Sequence, residues 1–97
     1  METLFNALNA TFGFHNWNHV NTGGGCTAIM VDNNEFGEHW LITKLNDGCQ
    51  SPNDVNDAVM CCLYDDEGCL IDESCIEALS IYKLDFDIET LTISVRG

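Results

Sequence analysis

The spacing of apolar residues changes along the chain, and each change marks an element. Leu4, Phe5, Leu8 and Phe12 stand at i, i+1, i+4 and i+8. That stripe predicts a helix of about two to three turns over residues 3–11, with Gly13 as its stop. A helix this short must lay its stripe on another element. From Phe14 to Val20 aromatic or apolar residues alternate with polar ones, which together with the asparagines predicts an edge strand or an irregular segment. After Gly23-Gly24-Gly25, the β-prone runs at residues 26–31 and 39–45 are joined by the Asp/Asn/Gly-rich residues 32–37, the pattern of a hairpin. Residues 45–48 carry a second turn signal.

Two stretches support competing readings. Ser51, Pro52 and Asp54 occupy N-cap, N1 and N3 of a helix that would put Val55, Ala58, Val59 and Cys62 on one face. Against it, residues 59–64 form a continuous apolar run before the turn Asp65-Asp66-Glu67-Gly68, followed by Cys69-Leu70-Ile71. We therefore expect a strand over residues 58–64. Residues 73–81 read either as a short helix with Ile76, Leu79 and Ser80 inward or as a strand continuing through Tyr82 and Leu84. Residues 91–95 alternate cleanly and predict a final strand. The expected fold class is α+β, a small antiparallel sheet of four to five strands with a short N-terminal helix packed on it. No repeat or linker interrupts the chain, so residues 1–97 read as one acidic domain.

Composition narrows the role of this domain. Apolar residues make up 45% of the chain, enough for a core despite a formal net charge of −13. Only Lys44, Lys83 and Arg96 oppose sixteen carboxylates. Most acids must therefore form a solvated negative field, which repels phosphate and excludes nucleic acid and anionic membrane as direct ligands. The first residues lack a basic segment followed by an apolar run, and no stretch approaches the roughly 18 apolar residues of a membrane span. On these grounds we expect a cytoplasmic protein whose six cysteines are reduced.

Residues 17–28, Trp-Asn-His-Val-Asn-Thr-Gly-Gly-Gly-Cys-Thr-Ala, continue through Trp40-Leu41-Ile42-Thr43 and Ser51-Pro52 to the segment from Met60 to Gly68. This pattern resembles a group of small uncharacterised proteins of bacteria and their phages, with a Thr-Gly-Gly-Gly-Cys-x-Ala strand entry, a hairpin, a Pro-containing loop and an acidic Gly turn. The likeness covers about residues 17–70. It implies a β-rich fold and a bacterial host cytoplasm, and no activity.

The candidate chemistries are weak when weighed residue by residue. Gly23-Gly24-Gly25 could offer N–H groups to a phosphate, yet no Gly-Lys-Ser/Thr follows, and backbone freedom at a strand entry explains the run. Cys26 could act as a nucleophile with His15, His19 or His39 as base, but an acidic surrounding disfavours the thiolate. His15, His19 and Cys26 lack the paired-ligand spacing of a zinc site. Residues 65–73 lack the alternating ligands of a calcium loop. No carboxylate pair stands out for hydrolysis. We expect no catalytic residues, no metal and no cofactor.

What remains is the charge distribution. Twelve of the sixteen acids lie from Asp47 onward, among them Asp65, Asp66 and Glu67, and the alternating Asp85, Asp87 and Glu89. Extended, the latter three would form a row about 6.6 Å apart, comparable to successive phosphates. These six residues are the expected partner-binding set. The expected function is a non-catalytic inhibitor that mimics nucleic acid and occupies the basic surface of a partner such as a nucleic-acid-binding protein. A structural or accessory protein that self-associates, for example as a homodimer through an apolar edge, is the alternative. A metal- or thiol-dependent enzyme comes third.

Overall fold

The computed structural model describes residues 2–32, 37–71 and 74–96. Helix α1 spans Glu2–Phe12. It ends where Gly13 turns to φ +78° and its N–H donates to the Asn9 carbonyl at 2.9 Å, the left-handed cap expected of that glycine. Five strands follow in one antiparallel sheet in sequential order: β1 (Trp17–Gly23), β2 (Cys26–Val31), β3 (His39–Lys44), β4 (Val59–Tyr64) and β5 (Ile76–Ala78). Strands β6 (Leu84–Asp87) and β7 (Thr92–Val95) form a separate hairpin. The fold is thus α+β, with the N-terminal helix packed on the antiparallel sheet. The second, two-stranded sheet is an addition to what the sequence predicts.

Register decides which side chains meet. Val31 pairs with Trp40 and Trp40 with Leu63, while Ile29 pairs with Ile42 and Ile42 with Cys61. These residues line one face of the sheet, and all but Leu63 are buried. Leu4 and Leu8 of α1, Val55, Ile81, and Leu84, Leu91 and Ile93 of the hairpin region complete that core. Phe12, Phe14, Trp17 and Phe86 form an aromatic cluster, with Phe14 stacked on Trp17 at 4.8 Å and Phe86 edge-on to Trp17 at 5.2 Å. The hairpin is tied to the sheet by the buried Trp40 indole N–H, which donates to the Leu91 carbonyl at 2.8 Å.

Several expectations need correction. The six cysteines are not all thiols: Cys26 is bonded to Cys49 and Cys62 to its cross-strand neighbour Cys75, while Cys61 and Cys69 are unpaired. The compartment argument behind the reduced reading could not see that the folded chain brings the paired Cα atoms to 4.4 and 4.1 Å. The Ser51-Pro52 helix does not form. Tertiary contacts claim those residues, because Ser51 is buried and its N–H donates to Thr27 Oγ1 at 3.1 Å. The strand expected at residues 58–64 is β4. Residues 69–71 contribute only a bridge between Tyr64 and Leu70. Of the described residues 74–81, only Ile76–Ala78 is a strand, and a 3₁₀ turn covers Ile81–Lys83. Residues 33–36, where the sequence predicts the hairpin turn, and Asp72 and Glu73 fall outside the described residues.

Candidate functional site

The sheet register gathers the turns at two ends. At one end lie the start of β1, the β2–β3 turn and the β4 exit, since Trp17 pairs with Val31, Val31 with Trp40, and His39 with Tyr64. The turn between β6 and β7 joins this end through the bond from Trp40 to Leu91. Asp32 and Glu38 flank the β2–β3 turn, Asp65, Asp66 and Glu67 follow β4, and Asp87 and Glu89 flank the turn of the second hairpin. Among the described residues this end holds no lysine or arginine. Lys44 closes β3 at the opposite end, and Lys83 and Arg96 stand at the open end of the β6–β7 hairpin, where the Arg96 N–H donates to the Lys83 carbonyl.

Local chemistry builds each acidic turn. Asp65 Oδ1 accepts from the Glu67 N–H at 3.0 Å and the Cys69 N–H at 2.9 Å, while the Gly68 N–H donates to the Asp65 carbonyl at 3.0 Å. Gly68 takes φ +84°, a conformation glycine allows at no steric cost. Asp87 Oδ1 repeats the device, accepting from the Glu89 N–H at 3.0 Å and more weakly from the Thr90 N–H at 3.4 Å. Each of these aspartates therefore spends one oxygen on its own backbone. Asp66 and Glu67 are exposed at the tip, and Asp66 packs beside Gly37, where an added Cβ would come within 3.1 Å of the Asp66 Cβ.

The expected row Asp85-Asp87-Glu89 does not exist as a row. β6 ends at Asp87, Glu89 belongs to the turn, and Asp85 accepts from Arg96 Nε at 2.7 Å in an exposed ion pair. Asp85 consequently belongs with the end that holds Lys83 and Arg96. Sequence reasoning also missed Asp32 and Glu38. Their position flanking a hairpin turn was the available signal, but only the register shows that this turn shares an end with residues 65–68.

The other candidate residues are dispersed. His19 Nε2 lies 3.3 Å from Ser51 Oγ, Cys26 is consumed by its disulfide, and His39 stacks on Tyr64 at 5.9 Å. Among the described residues no three His, Cys, Asp or Glu side chains converge as metal ligands. Burial pushes the Cys61 thiol up from its ordinary 9.0 to about 12, which keeps it protonated. A cavity of about 120 Å³ opens on the sheet face away from the core, between Thr22 of β1 and Leu41, Met60 and Tyr64. Its lining contains no carboxylate, histidine or lysine. No described helix is long and apolar enough to cross a membrane. Compared with protein-family models, curated proteins and solved structures, the chain matches none of them. Fold and site together define a small α+β protein whose sheet is electrostatically polarised along its strands.

Proposed function

We propose that the protein is a non-catalytic binding module that docks its carboxylate end on a basic protein surface and blocks it. The observation that carries this reading is the segregation of charge. Asp32, Glu38, Asp65, Asp66, Glu67, Asp87 and Glu89 share one end of the sheet, and the lysines and arginine lie at the other. A field concentrated at one end orients the molecule before contact and speeds its encounter with a cationic groove, such as that of a nucleic-acid-binding protein. The acids are displayed at hairpin tips rather than as an evenly spaced strand row. This favours a compact cationic groove over an imitation of consecutive phosphates. Two disulfides fit an oxidising compartment better than the bacterial host cytoplasm expected from the sequence, and the partner is proposed to be met there.

The test compares charge-matched variants. Asp66→Asn with Glu67→Gln, and Glu77→Lys alone, each remove two units of negative charge. Recovery of basic proteins from bacterial periplasm on the immobilised protein should fall roughly tenfold with the first change and stay near wild type with the second. It should also fall as salt rises. Failure to recover any basic partner at low salt would sink the proposal.

A further inference from the structure

We propose that the cavity on the outer face of the sheet binds a small aromatic ammonium cation, at a site distinct from the acidic turns. Antiparallel register builds it: Leu41 stands opposite Cys62 and Thr43 opposite Met60, and directly opposed residues share a face. Thr22 of β1 and Tyr64 of β4 also line it. Its volume of about 120 Å³ approaches the roughly 150 Å³ of a cavity that takes up benzene, so a single ring is the body it admits.

The walls suit an aromatic body. Met60 offers a polarizable thioether, whose sulfur makes favourable contacts with ring edges, and Leu41 adds aliphatic surface. Tyr64 brings a π-system that attracts a cation. Thr22 and Thr43 each carry a hydroxyl that can accept an N–H.

Charge selects the ammonium. Glu77 pairs with Met60, so its exposed side chain stands on the same face, with the two Cβ atoms about 5 Å apart by strand geometry. The three cations lie elsewhere. Lys44 pairs with Val59, which is buried in the core, and so belongs to the opposite face. Lys83 and Arg96 flank the β6–β7 hairpin, whose Leu84 and Ile93 join that same core. In a chain of net charge −13, the cavity therefore lies in a negative field, with a carboxylate at its rim and none of the three cations on its face. The ring enters between Leu41, Met60 and Tyr64 while the ammonium stays hydrated at the rim beside Glu77, which avoids the cost of burying a charge.

Three one-ring probes of similar size test this: benzylammonium, benzyl alcohol and benzoate, titrated at neutral pH and low salt into the intact oxidised protein. Benzylammonium should shift the Met60 methyl resonance with a Kd on the order of 1 mM, benzyl alcohol should bind about tenfold more weakly, and benzoate should leave the resonance in place. Thr43→Phe fills the cavity and should abolish the shift. Should that variant fail to fold, Tyr64→Leu, at a half-buried position, should lower benzylammonium affinity at least about threefold more than that of benzyl alcohol. Glu77→Lys keeps this proposal separate from docking on a basic partner. It should weaken benzylammonium about fivefold while recovery of basic proteins stays near wild type, and Asp66→Asn with Glu67→Gln should do the reverse. The proposal is overturned by an unmoved Met60 resonance, by an alcohol or benzoate that binds as tightly as the ammonium, or by benzylammonium binding that survives Thr43→Phe in a folded variant.

Discussion

The two ends of the sheet build their turns with the same aspartate device and differ in what stands around it. At the carboxylate end, Asp65 and Asp87 bind the backbone of their own turns, and no cation answers them among the described residues. At the other end, aspartates are absorbed into scaffolding. Asp54 and Asp57 bind backbone N–H groups within the 53–57 turn, Asp47 accepts from the Cys49 N–H, and Asp85 holds Arg96. That end is also cross-linked by Cys26–Cys49 and knitted together by Ser51, Thr27 and His19. A single net charge of −13 therefore hides two environments: one without a described lysine or arginine, the other with Lys44, Lys83, Arg96 and a disulfide among its carboxylates.

Cutting the link that builds the carboxylate end should have the largest effect. Trp40→Ala removes a buried indole and its bond to Leu91, and should cost about 3–5 kcal/mol in urea unfolding. Where it still folds, the β6–β7 turn should lose amide protection while the Cys26–Cys49 end keeps its own. A uniform loss at both ends would erase the distinction.

Alkaline pH gives an effect that is smaller over any single pH unit and strikes both ends together, because Cys61 pairs with Ile42 in the middle of the sheet. Its folded value is raised, so its contribution is intact below the ordinary 9.0 and disappears as pH climbs toward about 12. Stability should fall by up to roughly 1.4 kcal/mol per pH unit across that window. Cys61→Ala should flatten that part of the slope, and an unchanged slope in that variant would assign the loss to other groups.

The smallest effect belongs to the Arg96–Asp85 pair. Arg96 and Asp85 are each more than half exposed, so Arg96→Ala should cost less than about 1 kcal/mol in thermal unfolding. A larger loss would mean that the hairpin depends on this pair rather than on Leu84 and Ile93.

Regular period made much of the fold legible. The α1 stripe, the β2–β3 hairpin and the alternation of β7 rest on local pattern, and the apolar run of β4 outweighed the capping signals before it. What escaped was tertiary. Ser51 and Asp54 look like helix-start residues, but Ser51 serves β2 through Thr27, and Asp54 binds the Asn56 N–H in a turn. β5 is too short to announce itself and is specified by its partner, Val59 opposite Ala78 and Cys61 opposite Ile76. Of the candidate site, Asp65, Asp66 and Glu67 were readable as turn acids, whereas Asp87 and Glu89 were expected in an extended row and instead flank a turn. Their company with Asp32 and Glu38 was not, because it depends on strands returning to the same end across more than thirty residues of chain.

Leu91 shows what the second hairpin owes to the sheet. It is the one described non-glycine residue with positive φ, at +54°, in a turn position that glycine or asparagine would occupy more readily. Its local conformational preference opposes the β6–β7 turn. What holds it is remote: burial of its side chain and the hydrogen bond that the Trp40 indole N–H donates to its carbonyl. The turn of the second hairpin is thus held by the sheet rather than by its own sequence, so the display of Asp87 and Glu89 depends on Trp40, a residue with no charge of its own.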